Sequence, residues 1–482
     1  MRLVLFLLIL VSWQSAAVAQ SQAQRVESFL RREMRERRIP GVQAAVVKNG
    51  KIVLSAFVGT ADIQHAVSVK NNTVFPIYSC TKAFTGVAIM QLVEEGRINL
   101  DTPISRYLDD LPDSWKPITV KQLLTHVSGL PNILRLLDPI TYGLPAGVTE
   151  EDLWKKTKSL PMTSVVGERF SYNQTNYALL GKIIDKLTGK PFAEVFKERQ
   201  FQIGGMRSTG FGDSRDVISN KTPTYRYVQN IDGKKLDQGR LVIDYAEFPP
   251  FRRTASGMNS SAEDIARWLI ALQHGKLLKN KSTLETLWRA GSFNDGSPTE
   301  WAIGWMTKPR PTHRAVIATG GSRAAFIVYP EDELAIVVLT NLVGAFPEEF
   351  IDELAGIYDP EIALSDPVTA LRMELRQRGY ERAIEVFKEL KKKNADFQPL
   401  ENDLNAWAYR MLNGGGKPKE ALEIFKLNVF LYPNSANVYD SVAEAYEANG
   451  NRELAISNYK RSLELDPKNT NAAQQLKRLG QR

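Results

Sequence analysis

Phe75-Pro-Ile-Tyr-Ser79-Cys-Thr-Lys82-Ala-Phe84-Thr-Gly-Val87-Ala88-Ile-Met-Gln-Leu92-Val-Glu94-Glu95-Gly96 is the stretch on which the rest of the chain is organised. Its apolar residues Phe84, Val87, Ala88 and Leu92 recur at the spacing of an inward-facing helical stripe. Glu94 and Glu95 before Gly96 mark the helix end. Ser79 then falls in the first turn, with Lys82 three residues on and on the same face. The partial positive charge of a helix start stabilises an alkoxide. A lysine whose pKa is lowered by burial can take the hydroxyl proton of such a serine. Serine is also a preferred helix N-cap, and on this stretch alone both roles stay open. Ser-x-x-Lys is a cheap pattern that ordinary composition repeats by chance. It recurs at Ser457/Lys460, mid-helix in a repeat segment, where it reads as solvated surface.

With 482 residues, 43% hydrophobic and 24% charged, the chain has the make-up of a globular protein of two or three domains. The first 19 residues stand apart. Arg2, an apolar run from Leu3 to Val11 and Ala17-Val18-Ala19 make a secretory signal peptide, cleaved near Ala19. The expected product is exported, periplasmic or extracellular, with no transmembrane segment, since no apolar run is long enough to span a bilayer. The single cysteine, Cys80, permits no internal disulfide. The net charge of +8 comes with basic runs broken by acids, which read as solvated helix faces and not as a nucleic-acid surface. The four histidines (His65, His126, His274, His313) have no metal-ligand spacing, so neither a metal nor a cofactor is expected.

Two apolar runs, 42–47 and 52–59, flank Asn49-Gly50 and read as a β-hairpin. Residues 118–131 read as a capped helix ending at Ser128-Gly129, in which His126 is a structural residue near a turn. Tyr172 lies in a polar loop that feeds an apolar helix running to Thr188-Gly189. Taken alone it reads as a core tyrosine with a satisfied hydroxyl. Residues 213–250 look loop-rich, and Ser260 or Ser261 before Glu263 and Asp264 suggests a capping box. Strand-like runs return at 302–306, 315–319, 324–329 and 334–340, and 346–357 reads as a closing helix. Strands at both ends of a helical middle predict an α+β domain over 20–357. Its antiparallel sheet is completed by the two ends, with helices on its faces and a helical lobe beside it.

After a linker at 358–366 the pattern changes. Pro399, Pro433 and Pro467 recur at a spacing of 34, as do Ala421 and Ala455, and Phe425 and Tyr459. Residues 367–482 therefore look like tetratricopeptide repeats, an all-α module whose concave face takes protein or peptide partners. The alternative is a stabilising appendage.

Three sites now line up: Ser79-Cys-Thr-Lys82, Tyr172 before its helix, and the strand-turn Ala318-Thr319-Gly320-Gly321, followed by Asn341 after an apolar strand. Together they resemble the class C β-lactamase and DD-peptidase family of serine hydrolases, over about 24–357. The resemblance implies Ser79 as the acylated nucleophile, Lys82 as its proton partner and Tyr172 as the proton shuttle to the leaving group. It also implies an oxyanion hole from the backbone N–H groups of Ser79 and Gly321, and substrate contacts from Gln174, Thr319 and Gly320. Two positions depart from the family. Gln174 stands where the family has asparagine, and Ala318 where it has a lysine or histidine that holds a substrate carboxylate. Arg323, just past the turn, is the candidate replacement cation. The implied activity is acyl transfer through a Ser79 acyl-enzyme on a small ester, amide or D-amino-acid peptide, with weak β-lactamase action at most. The competing readings are a non-catalytic binding scaffold whose repeats carry the function, and a peptidoglycan DD-carboxypeptidase.

Overall fold

The computed structural model describes residues 22–231, 234–413 and 416–480. The leader expected over 1–19 lies outside these residues. Among them, no helix is long and apolar enough to cross a membrane. The chain forms two compact units, one up to Ile351 and one from Asp352 onward.

The first unit opens with α1 (22–37), then β1 (Gly41–Lys48) and β2 (Lys51–Asp62). The hairpin expected from Asn49-Gly50 is present. Both residues take positive φ, 50° and 69°, which matches the right-handed twist of the paired strands. The short strands β3 (Val67–Ser68) and β4 (Phe75–Pro76) follow, and then α2 (Thr81–Glu94). The helical middle holds α3 (Val120–Leu124), α4 (Glu150–Ser159), α5 (Gln174–Thr188), α6 (Phe192–Phe196) and α7 (Gln202–Gly204). Next come β5 (Gly210–Phe211), β6 (Tyr225–Ile231), β7 (Lys234–Ile243), β8 (Met258–Ser260), α8 (Ala262–Gln273) and α9 (Lys281–Leu287). The closing strands are β9 (Met306–Lys308), β10 (Ala315–Gly320), β11 (Ala324–Tyr329) and β12 (Leu334–Thr340); α10 (Ile351–Ala355) starts at the last residue of this unit and belongs otherwise to the second.

The main sheet has the order β3-β2-β1-β12-β11-β10-β9, so β1 pairs antiparallel with β12 and the two ends of the unit close one sheet, as the strand pattern predicted. Every residue of β12 is buried, and β1 is buried from Gly41 to Val47. That explains why both read as apolar runs, interrupted in β1 only by Gln43, whose buried amide is hydrogen-bonded to Lys70 O, Thr73 O and Ala262 N: strands covered on both faces need no polar alternation. α8 packs on β1 and β12, and its Ile265, Trp268, Leu269 and Leu272 are all fully buried.

Three expectations give way. The helix expected over 118–131 stops at Leu124, because His126 takes a φ of 60° that an α-helix does not accept. The loop expected over 213–250 contains the hairpin β6–β7, which pairs Tyr225 with Ile243. The strand expected at 302–306 is only β9, starting at Met306.

The second unit continues through α11 (Pro360–Ser365), α12 (Pro367–Arg378), α13 (Ala383–Lys393), α14 (Glu401–Asn413), α15 (Pro418–Leu431), α16 (Ala436–Ala448), α17 (Arg452–Leu465) and α18 (Thr470–Gly480). Consecutive helices pack pairwise, α14 on α15, α15 on α16 and α16 on α17. Ala421, Phe425, Ala455 and Tyr459, which the 34-residue spacing singled out, are all fully buried.

Candidate active site

The turn that precedes α2 is built under constraint. Tyr78 takes a φ of 47°, unusual for a residue with a large side chain and costing about 1–3 kcal/mol. Its ring is held edge-on to Phe248 and beneath the Arg323 guanidinium, 3.9 Å away. Tyr78–Cys80 form a single 3-10 turn, and the α-helix proper starts at Thr81. Ser79 therefore sits at the mouth of the helix, half-exposed, and makes no capping hydrogen bond to it.

α2 is anchored along one face to the segment 254–258. Thr85 Oγ1 donates to Thr254 O at 2.7 Å, Lys82 Nζ to Ala255 O at 2.8 Å, and Met258 N–H to Thr81 Oγ1 at 3.3 Å. Residues 81, 82 and 85 share a face of the helix, which is why one extended segment can hold all three.

Lys82 has no exposed surface. Its Nζ lies 3.4 Å from Ser79 Oγ, 3.3 Å from Gln174 Oε1 and 2.8 Å from Ala255 O. It also lies 4.6 Å from the centre of the Tyr172 ring and 5.2 Å from that of Tyr177. Burial, reinforced by the positive charge of Arg252, holds the amine well below the usual lysine pKa. The partner set suits a neutral amine. Such an amine has two N–H donors for the two carbonyl oxygens and one lone pair for a hydroxyl proton, whereas an ammonium would have three donors and no acceptor.

Tyr172 is placed by the loop before α5. Asn173 donates its N–H to His126 Nδ1 at 3.1 Å and its side-chain Nδ2 to Leu130 O at 2.6 Å. His126 is fully buried and neutral, its pKa held well below the ordinary value by burial and by Lys82. Its ring lies 4.7 Å from that of Tyr172 and 4.9 Å from that of Trp301, so it backs the tyrosine as a packed wall. Tyr172 itself is 37% exposed, with its hydroxyl end among protein atoms that include the Ser79 and Gln174 side chains. That burial pushes the phenol up, to about 12, and water at the exposed edge tempers the shift without reversing it. Tyr172 is therefore a neutral proton donor at ordinary pH.

The third stretch meets the first at Gly320. A Cβ there would come within 1.9 Å of Ile77 O and 3.2 Å of Cys80 N, so the end of β10 lies flush against the Ser79 turn. Thr319 and Gly321 flank this junction, each half-exposed. Gln174 is 5% exposed at the start of α5 and accepts from Lys82.

Arg323 is where the sequence expectation fails. It is 4% exposed, both of its terminal nitrogens bond Asp244 Oδ2 at 3.1 Å, and its Nε donates to Gly321 O. A cation committed to a carboxylate, a carbonyl and an aromatic face is part of the scaffold and not a substrate anchor. His313 is elsewhere too, paired with Asp332 at 2.9 Å. Cys80 is buried, with its thiol held well above the usual pKa, which keeps it out of nucleophilic chemistry. Sequence reasoning did not find Arg252, Ala255 or Trp301. Only the long-range packing of the 250–256 turn and the 299–305 segment brings them to Lys82 and Tyr172.

Several known proteins resemble this chain in sequence and fold. Protein flp of Staphylococcus aureus (strain MW2) is 28% identical over 69% of this chain and 65% of its own length. The chain thus spans just under two thirds of that relative. A teichoic acid D-alanine hydrolase of Staphylococcus aureus is 26% identical over 62% of this chain and 70% of its own. The octameric penicillin-binding protein homologue from Pyrococcus abyssi superposes with a TM-score of 0.56 at 26% identity, covering 69% of this chain and 76% of that one. Residues 26–356 match the family described as Beta-lactamase, and the chain belongs to that family.

Proposed function

We propose that this protein is a serine hydrolase that transfers an acyl group from a small ester, amide or D-amino-acid peptide to water by way of Ser79. The observation that carries the reading is the buried Lys82 amine, its pKa held well below the usual lysine value by burial, 3.4 Å from the half-exposed Ser79 hydroxyl, with the Tyr172 phenol beside both. Lys82 takes the Ser79 proton as Oγ attacks the substrate carbonyl. The oxyanion that forms is received by the backbone N–H groups of Ser79 and Gly321, donors fixed in advance and worth about 10²–10³ in rate apiece. Tyr172 gives its proton to the leaving oxygen or nitrogen, which departs as alcohol or amine and leaves the acyl group on Oγ. The Lys82 proton returns to Tyr172. Water then attacks the acyl-enzyme, loses its proton through the same pair, and Ser79 leaves with a proton as the free acid is released.

The substrate class follows from what the site lacks. Ala318 presents no cation from β10 and Arg323 is bound to Asp244, so a free substrate carboxylate finds no charged anchor from the third motif. Penicillins and D-alanyl-D-alanine peptides both carry that carboxylate. An ester of a D-amino acid does not, since its carboxyl is the reacting group, and a relative is described as a D-alanine hydrolase. D-Aminoacyl esters are therefore the preferred substrates in this reading, acted on outside the cytoplasm.

The same proposal assigns the second unit to tetratricopeptide-type repeats with a peptide or protein partner. Its support is the pairwise stacking of α14–α17 and the hydrogen bonds that recur near the 34-residue offset, such as Ser435 to Glu401 and Tyr409 to Glu444.

The test is labelling of the full chain with a fluorophosphonate and with a fluorescent penicillin, against Ser79→Ala. The expected result is strong fluorophosphonate labelling and weak penicillin labelling, both lost in the variant. Absence of serine-dependent labelling by either reagent overturns the hydrolase reading in favour of a binding scaffold.

A further inference from the structure

Arg252 is a buried cation that has no carboxylate partner among the described residues. It is 4% exposed. Its Nη1 donates to the carbonyl oxygens of Tyr142 at 3.0 Å and Glu247 at 3.4 Å, its Nη2 lies 3.5 Å from Ser256 Oγ, and its Nε has no hydrogen-bond partner. The carboxylates nearby along the chain are engaged elsewhere: Glu247 with Arg215 at 3.1 Å, and Asp244 with Arg323. Natural proteins rarely leave a buried guanidinium unpaired, because its desolvation is then offset only by neutral groups, here those acceptors and the Phe248 ring 5.0 Å away.

Its place in the fold gives the arrangement a purpose. Arg252 begins the turn that binds Lys82. The N–H groups of Ala255 and Ser256 close onto Arg252 O at 3.0 and 3.2 Å, and Ala255 O in turn accepts from Lys82 Nζ at 2.8 Å. One rigid turn therefore holds the amine by a carbonyl and sets a fixed positive charge near it. Among the described residues, the groups that face Lys82 from its other neighbours are uncharged. Ser79 and the buried Cys80 thiol face it from its own segment, Tyr172, Gln174 and Tyr177 from the α5 side, and neutral His126 from behind. Arg252 faces the phenols of Tyr78, Tyr142 and Tyr172.

We propose that Arg252 is a positioning residue whose unneutralised charge, carried on the turn that ligates Lys82, adds to the burial of Lys82 in expelling its proton and so helps to set the pH at which Ser79 is activated. The charge persists at neutral pH, since burial lowers the guanidinium pKa only to about 10. The sign is fixed: a nearby cation disfavours the ammonium form of Lys82 and favours the phenolate form of Tyr172. Removing it raises both pKa values and moves activity toward alkaline pH. The kinetic consequence rests on the hydrolase reading above; the electrostatic claim does not.

The experiment is a pH titration of the full chain labelled with [ε-13C]lysine, the Lys82 signal being identified by its loss in Lys82→Met. In folded Arg252→Gln or Arg252→Met the Lys82 midpoint rises by about one to two pH units, the size of a close charge effect. The acid limb of kcat/KM for a chromogenic ester moves with it. Arg252→Lys, which keeps the charge, titrates as the wild type does. An unmoved midpoint in a folded neutral variant overturns the proposal, as does a uniform fall in kcat/KM with no shift of the limb, the mark of a purely structural arginine. If neither neutral variant folds, Arg252→Lys decides, because a rise of a full unit there contradicts a role for charge. If the wild type shows no Ser79-dependent turnover, the hydrolase reading fails while the Lys82 titration still answers the electrostatic question.

Discussion

Lys82→Met makes the electrostatics of the site visible as stability. A lysine that is neutral in the folded protein and charged in the unfolded chain takes up a proton on unfolding, so stability rises with pH between the folded pKa and the unfolded value of about 10.4. Lys82 is fully buried, and its folded pKa lies well below the ordinary one, which opens that window. Integrating the linkage relation from pH 9 to pH 10 for one such group gives about 1.2 kcal/mol of added wild-type stability. Each further pH unit downward, as far as the folded pKa, adds about 1.4 kcal/mol to the penalty that the lysine imposes. Methionine at this position does not titrate. The absolute difference between the two proteins also contains the lost partners of Ala255 O and Gln174 Oε1, about 1–3 kcal/mol if left unsatisfied, so the slope is the observable. Urea unfolding of wild type and Lys82→Met at pH 8, 9 and 10 should give a wild-type-minus-variant difference that climbs with pH, and other titrating groups cancel in that difference. Parallel curves would mean that Lys82 folds as an ammonium, and the activation scheme would fall with that result.

Three further outcomes follow from the same geometry. Tyr172→Phe should lower kcat by about 10²–10⁴ for amides and alkyl esters, which need a protonated leaving group, and much less for a nitrophenyl ester; equal losses across the series would remove Tyr172 as the proton donor. Gly320→Ala should cost about 1–3 kcal/mol and most of the acylation rate, because its Cβ would meet the backbone oxygen of Ile77 at 1.9 Å with no side chain to yield; a normal melting temperature with normal labelling would show that the β10–Ser79 junction is slack. Asp244→Asn should destabilise the first unit by about 3 kcal/mol, read from urea unfolding, since it leaves the 4% exposed Arg323 without its counter-charge; a loss below 1 kcal/mol would mean that Arg323 finds another partner or water.

The parts of the fold legible in the sequence are those set by short-range physics. Asn49-Gly50 marked a hairpin turn, the apolar runs at 42–47 and 334–340 marked strands, and Ser79 with Lys82 marked one helical face; all three are present in the structure. The parts that escaped depend on partners distant in the chain. Arg323 looked like a free cation because Asp244 lies 79 residues away. The β6–β7 hairpin was overlooked although Asp232-Gly233 is a two-residue turn signal, because its flanking strands carry many charged and amide side chains, such as Arg226, Gln229 and Arg240, in place of an apolar run. The helix expected over 118–131 was present but drawn too long, because the positive φ of His126, which faces the loop that orients Tyr172, has no local marker. Arg252 carries no motif at all; its significance lies in the absence of a carboxylate partner among the described residues, which only tertiary structure reveals.

The central claim is that Ser79 becomes covalently acylated during turnover. Rapid acid quench of the full chain during hydrolysis of a chromogenic D-alanyl ester, followed by intact-mass measurement and peptide mapping, tests it most directly. The account predicts one acyl group per chain, on the peptide that contains Ser79, absent in Ser79→Ala and formed at least about a hundredfold more slowly in Lys82→Met. Ester hydrolysis that persists in Ser79→Ala, or an acyl group mapped to another residue, would contradict it.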